Sequence, residues 1–171
     1  IWNMQSAFHN LPTVNGVMQA AGKAFCATDV IYARSEATAE LAMDIAPAYP
    51  VEAGLTSWVR RVRLSRGREV VVSDAFALAR ATRDVSLNLM TPCEVTEDLP
   101  GVLRLACGRI GGRAGLVVFA RFDARAAAAT VERISLDDPA LTASWGDHLS
   151  RIVLSAREPV QRATWTLTVS R

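Results

Sequence analysis

The sequence predicts an all-β protein: an antiparallel β-sandwich of roughly ten to twelve short strands. Three observations carry this. Apolar and polar residues alternate with period two along one run after another. Gly, Pro and Asp punctuate these runs at short intervals. Only "DARAAAATVE" has the alanine content of a helix, and it is short and lies between two strand patterns, so it reads as a turn or a single helical turn.

In chain order, "TAELAMDI" sends Ala39, Leu41, Met43 and Ile45 one way and Thr38, Glu40, Ala42 and Asp44 the other. "SWVRRVRL" puts Trp58, Val62 and Leu64 on one face and Arg61 and Arg63 on the opposite one. "EVVVSDAF" aligns Val70, Val72 and Phe76. Between these two runs lies "SRGR", where Gly67 can take the positive φ of a tight turn, so Trp58 to Phe76 is predicted as a β-hairpin. "VSLNLMT" alternates through Val85, Leu87 and Leu89. "VLRLAC" and "GLVVFARF" flank "GRIGGRAG", residues 108–115, which reads as a hairpin turn because it does not open a helix after a parallel strand. "TVERISL", "HLSRIVL" and "ATWTLTVS" complete the set, the last with Trp165, Leu167 and Val169 on one face.

At 171 residues the chain suits one domain, residues 1–171, with a single core. Half the residues are hydrophobic and 21% are charged, which separates it from disordered chains. A net charge of +2 with no concentrated basic stripe argues against a nucleic-acid partner. Only Lys23 is a lysine, and the arginines are scattered. No run is long enough to span a bilayer, and no basic segment followed by an apolar run opens the chain. The first residue is Ile1, and the opening "IWNMQSAFHN" reads as the continuation of a longer chain.

The phosphate loop, HExxH, GxSxG and the calcium loop are all absent from the sequence. Cys26, Cys93 and Cys107 allow at most one disulfide. Cys26 and Cys107 lie in apolar runs and read as small buried hydrophobes. The only histidines are His9 and His148. A zinc site would have to mix His9 with Asp29 and Cys26, and that ligand count does not support a metal. His148, in "SWGDHLSRI", reads as a packing or surface residue at a strand entry. Tyr49 reads as a loop anchor. Trp58 and Trp165 fall on core faces, leaving Trp2 and Trp145 as the exposed aromatic candidates.

His9 stands apart. It sits in "QSAFHNLPTVNG", a polar stretch that also holds Phe8, Leu11 and Val14. The His9-Asn10 pair is followed by Val14-Asn15-Gly16 and Gln19, then by the Trp58-Arg60 strand with its hairpin to Asp74, then by Trp145-Gly146. In this order and spacing, from about Met4 to the end, the chain resembles the C-terminal β-sandwich region of heparinase II/III-like polysaccharide lyases.

That resemblance implies an N-terminal α/α toroid outside this chain, with an acidic polysaccharide lying between toroid and sandwich. It implies cleavage of a uronic-acid-containing chain by β-elimination, in which the carboxylate is neutralised, C5 loses a proton and the leaving oxygen gains one. His9 matches the histidine that the sandwich contributes, as a catalytic and substrate-binding residue, with Asn10 as a supporting substrate-binding residue. The catalytic tyrosine belongs to the absent helical part and is carried onto neither Tyr32 nor Tyr49. Some members hold zinc through His and Asp, but this chain lacks the additional histidines, so no cofactor is assigned. The resemblance points to the bacterial periplasm. Alone, the chain is expected to be inactive and to expose an apolar patch where the helical part would dock; such a patch next to His9 would support both the fragment reading and the site. The alternative is a non-catalytic carbohydrate-binding or structural sandwich.

Overall fold

A computed structural model describes residues 2–108 and 115–171. Most of the expected "GRIGGRAG" turn lies outside them. Twelve strands form two antiparallel sheets. The small sheet runs in the order β1 (Pro12–Val14), β6 (Val85–Thr91), β11 (His148–Ala156), β10 (Ala127–Ser135). The large sheet runs β2 (Thr28–Arg34), β3 (Thr38–Asp44), β4 (Leu55–Ser65), β5 (Glu69–Thr82), β12 (Val160–Ser170), β9 (Leu116–Arg121), β8 (Val102–Cys107), β7 (Glu94–Leu99). The all-β sandwich is therefore as the alternation predicts.

The core lies between the inner faces. Trp58 and Phe76 stack at 4.4 Å and 10°, and Phe76 meets Trp165 edge-on at 5.5 Å. Such aromatic pairs contribute about 0.5–1.5 kcal/mol beyond their area. Leu87, Ile152 and Leu154 of the small sheet close over them. Trp58 and Trp165 are both buried, as the strand phase requires. The β4–β5 hairpin turns at Gly67, whose φ is +73°. The four-stranded sheet covers only the middle of its larger partner: all seven β2 residues are exposed, and Val62, Leu64, Val70 and Val72 at the hairpin tip are only half-buried.

Four local expectations are corrected. "DARAAAATVE" supplies most of β10, because pairing with β11 over nine residues outweighs alanine's helix preference. Trp145 ends a short helix, α1 (Pro139–Trp145), rather than entering a strand; the Asp138 side chain accepts from the Ala140 and Leu141 N–H groups as its N-cap. Cys26 is exposed rather than buried. Cys107 is joined to the buried Cys93 in a disulfide, tying the end of β8 to the β6–β7 turn.

Candidate functional site

The exposed polar segment around His9 is held in place by its backbone and by its neighbours' side chains. His9 follows a one-turn 3-10 helix, Ser6–Phe8, and its N–H closes that turn on the Ser6 carbonyl at 3.2 Å. Ser6 is buried, and its Oγ accepts from the Gln19 N–H at 2.9 Å. Phe8 lies over the Arg151 guanidinium at 5.0 Å, a cation–π contact. Arg151 also donates to Glu132 and to the buried Asn88, both at 3.0 Å. The segment is thus pinned to the small sheet from beneath.

Asn10 extends the sheet with its side chain. The Asn88 N–H donates to the Leu11 carbonyl at 3.0 Å, and two residues on, the Met90 N–H donates to Asn10 Oδ1 at 2.8 Å. The amide oxygen occupies the place where the next backbone acceptor of β1 would stand. Asn10 is exposed, and that hydrogen bond uses its oxygen.

The Asn10 backbone carbonyl meets a second support. Arg60 and Asp74 face each other directly across β4 and β5 and both point inward. Arg60 donates from Nε to Asp74 Oδ1 at 2.7 Å and from Nη2 to Oδ2 at 2.9 Å. Trp58 Nε1 donates to the same Oδ1 at 2.7 Å. The remaining terminal nitrogen, Nη1, donates across the sandwich to the Asn10 carbonyl. A forked guanidinium suits this task, because two nitrogens grip a carboxylate while the third projects elsewhere. Sequence reasoning gave neither residue a site role. The available signal was two opposite charges in phase with the apolar face of one hairpin.

The "VNG" of the opening segment has a plain structural role. Val14 and Val17 exchange backbone hydrogen bonds around Asn15 and Gly16, both at positive φ, +52° and +70°. Tyr49 donates to the Pro12 carbonyl at 2.7 Å and is buried, which fits the loop-anchor expectation. Burial, the leading cause, pushes its hydroxyl well above its ordinary value of 10.0, although the nearby Arg60 charge acts the other way.

His9 is exposed at the rim of a cavity of about 220 Å³. Trp2, Phe8, Met90, Pro92, Leu141 and Trp145 supply most of its apolar wall. Trp2 and Phe8 meet edge-on at 5.0 Å, and Trp145 is 47% exposed. Both tryptophans singled out from the sequence are therefore here. Asn10 is not part of the cavity lining. An imidazole over such a wall can give or take a proton beside a sugar ring that stacks on the aromatics.

His148 has a different setting. Its Nδ1 is 2.6 Å from Asp147, and its Nε2 is 3.1 Å from Glu94 in ion-pair rather than hydrogen-bonding geometry. The two carboxylates take opposite ring nitrogens, so they do not converge on one point. The His148 hydrogen bond is the leading cause holding the Asp147 carboxyl below its ordinary value. Among the described residues, no group of three or more His, Cys, Asp or Glu is placed to hold a metal ion, and His9, Asp29 and Cys26 are not brought together as ligands. Trp145 is an exposed apolar side chain of the cavity that His9 lines, while among the described residues the longest exposed apolar run, Val30–Tyr32, belongs to β2.

The fold is similar to part of several solved lyase structures. A heparan sulfate lyase from Pedobacter heparinus matches with a TM-score of 0.69 at 13% identity, over 99% of this chain and 25% of that one. A mutant of that lyase matches equally well in TM-score, at 14% identity. A structure described as a heparinase III gene product matches with a TM-score of 0.63 at 12% identity, over 98% of this chain and 24% of that one. At these identities the likeness establishes the shared fold. The chain spans about a quarter of the length of these relatives. No protein-family model matches the sequence, and no curated protein is significantly similar to it.

Proposed function

We propose that this chain is the C-terminal sandwich of a polysaccharide lyase that cleaves uronic-acid-containing chains by β-elimination. In this reading it supplies one wall of the substrate cleft and is inactive alone. One observation carries the reading: an exposed histidine stands over an aromatic-lined cavity, in a sandwich shaped like that of lyases which act on heparan sulfate. His9 neutralises the uronate or shares in proton transfer, Asn10 supports it, and an N-terminal helical part of the same protein supplies the rest of the site. The Cys93–Cys107 disulfide favours an oxidising compartment such as the periplasm.

The test has two arms. This chain is incubated with heparan sulfate, alginate and an unsulfated uronan while absorbance of the unsaturated product is followed; no product is expected. Oligosaccharides of the same polymers are then titrated into labelled protein, and amide and ring shifts are expected at His9, Asn10 and Trp145. Cleavage by the chain alone, or shifts that avoid this cavity, would overturn the proposal.

The aromatic wall supports a second reading, a sugar-binding sandwich without catalysis. His9→Ala separates the two. A binding module keeps its affinity, whereas a lyase that contains this sandwich loses turnover.

A further inference from the structure

The two edges of the large sheet are built differently. β7, at one end, carries Glu94, Glu97 and Asp98, a charge density that repels another copy of itself. β2, at the other end, pairs with β3 alone among the described residues, and all of its side chains are exposed. Val30, Ile31 and Tyr32 are 60%, 66% and 61% exposed, three large apolar residues in a row on a free edge. The strand holds no Pro or Lys. Its one interruption is a bulge at Asp29, with φ +52°, which leaves Ile31 to Arg34 regular.

The hairpin determines which backbone groups are free. The Ser35 N–H donates to the Thr38 carbonyl at 2.8 Å. By alternation, Ala33 and Ile31 also turn toward β3, and Tyr32 and Arg34 turn their N–H and C=O groups outward. We propose that this edge pairs antiparallel with the same edge of a second copy, with Tyr32 of each copy directly opposite the other.

The register follows from symmetry and charge. A two-fold axis normal to the sheet keeps every side chain on its own face, so a residue, not a gap between residues, must lie on the axis. Tyr32 meets this condition and also has the outward backbone groups to form a hydrogen-bonded pair. With Tyr32 on the axis, Ile31 faces the partner's Ala33, and Arg34 lies one residue from the partner's Asp29, on both sides. The strand has an acid, Asp29, near its start and a base, Arg34, at its end, which is the pattern an antiparallel copy of itself complements. Each chain has one such edge, so the assembly closes as a dimer.

Sedimentation velocity of the chain from low micromolar to a few hundred micromolar tests this. The expected species at the upper end has twice the 18.5 kDa chain mass. Tyr32→Lys places two ammonium groups across the axis, about 5.5 Å apart at Cα. Arg34→Glu sets two acids beside each other at each end. Each is expected to weaken the dimer by about fivefold, because like charges facing each other across paired strands are unfavourable. Both sites are exposed, so far-UV circular dichroism and the thermal midpoint should hold. A chain that stays monomeric at the highest concentration overturns the proposal and leaves the edge to a different protein. A dimer that neither variant weakens overturns it too, because the contact then lies elsewhere.

Discussion

Replacing Asp74 by Ala is expected to be among the most damaging single changes in this protein. Asp74 is 1% exposed and accepts three hydrogen bonds, two from Arg60 and one from the Trp58 indole. Its removal leaves a guanidinium that is only 11% exposed without its counter-charge. Breaking a buried ion pair by deleting one partner costs about 3–5 kcal/mol. Against a typical total stability of about 5–15 kcal/mol this is a large share, worth a fall of roughly 6–20 °C in the thermal midpoint. The double replacement Arg60→Met with Asp74→Leu removes both charges and should recover most of that loss. It should not recover the position of Asn10, because no group then reaches the Asn10 carbonyl. The assay is urea denaturation of wild type, Asp74→Ala, Arg60→Met and the double variant, with hydrogen exchange at the Met90 amide. The Met90 amide is bonded to Asn10 Oδ1, so it should exchange faster in all three variants. An Asp74→Ala loss below about 1 kcal/mol, the level of a solvent-exposed pair, would refute the burial argument. A double variant with unchanged Met90 protection would refute the claim that Arg60 positions the His9 segment.

Three further outcomes are expected. Serine at both Cys93 and Cys107 should lower stability by about 3 kcal/mol, the chain-entropy value for a loop of this size, measured by denaturation with and without reductant; identical curves for the two proteins would count against it. Asp147 should titrate below its ordinary 3.8, and His148→Ala should move it upward. Its contribution to stability is therefore present above 3.8 and fades as pH falls through the lowered midpoint, which carboxyl NMR titration of both proteins can follow. Gly101→Ala should destabilise strongly, because φ is +79° and a Cβ there would stand 2.4 Å from the Phe122 carbonyl; a thermal midpoint near wild type would contradict it.

Most strands with one buried face were legible in the sequence, and so was β3, whose residues are nearly all part-buried; β2 and β7 were not. The runs around Trp58, Leu87 and Trp165 alternate because one side of each meets the core. β2 is exposed on both sides and β7 nearly so, and neither carries a period-two signal to read. The short helix left marks that went unused, Asp138 and Pro139 at its start and Gly146 at its end. The disulfide was beyond reach, since three cysteines give no pairing until the β6–β7 turn is brought beside β8. For the candidate site, His9 could be picked out through the family resemblance and Trp145 by strand phase. The cavity between them could not, because it depends on how the N-terminal turns pack against a helix some 130 residues later. Arg60 and Asp74 were readable in principle, as charges falling where an apolar residue belongs.

The mismatch between an eight-stranded and a four-stranded sheet gives the large sheet two kinds of territory. Its middle is one layer of a sealed pair; β2 is a single ply, wet on both faces. A strand in that position is held by its ladder to β3 and by little else, so it can open while the centre stays shut. Amide exchange should then grade along one continuous sheet, fast at Ile31, slower at Leu41, slowest around Trp58 and Trp165. The sandwich would thus come apart from its rim, and a second molecule seated on that rim would slow the first step.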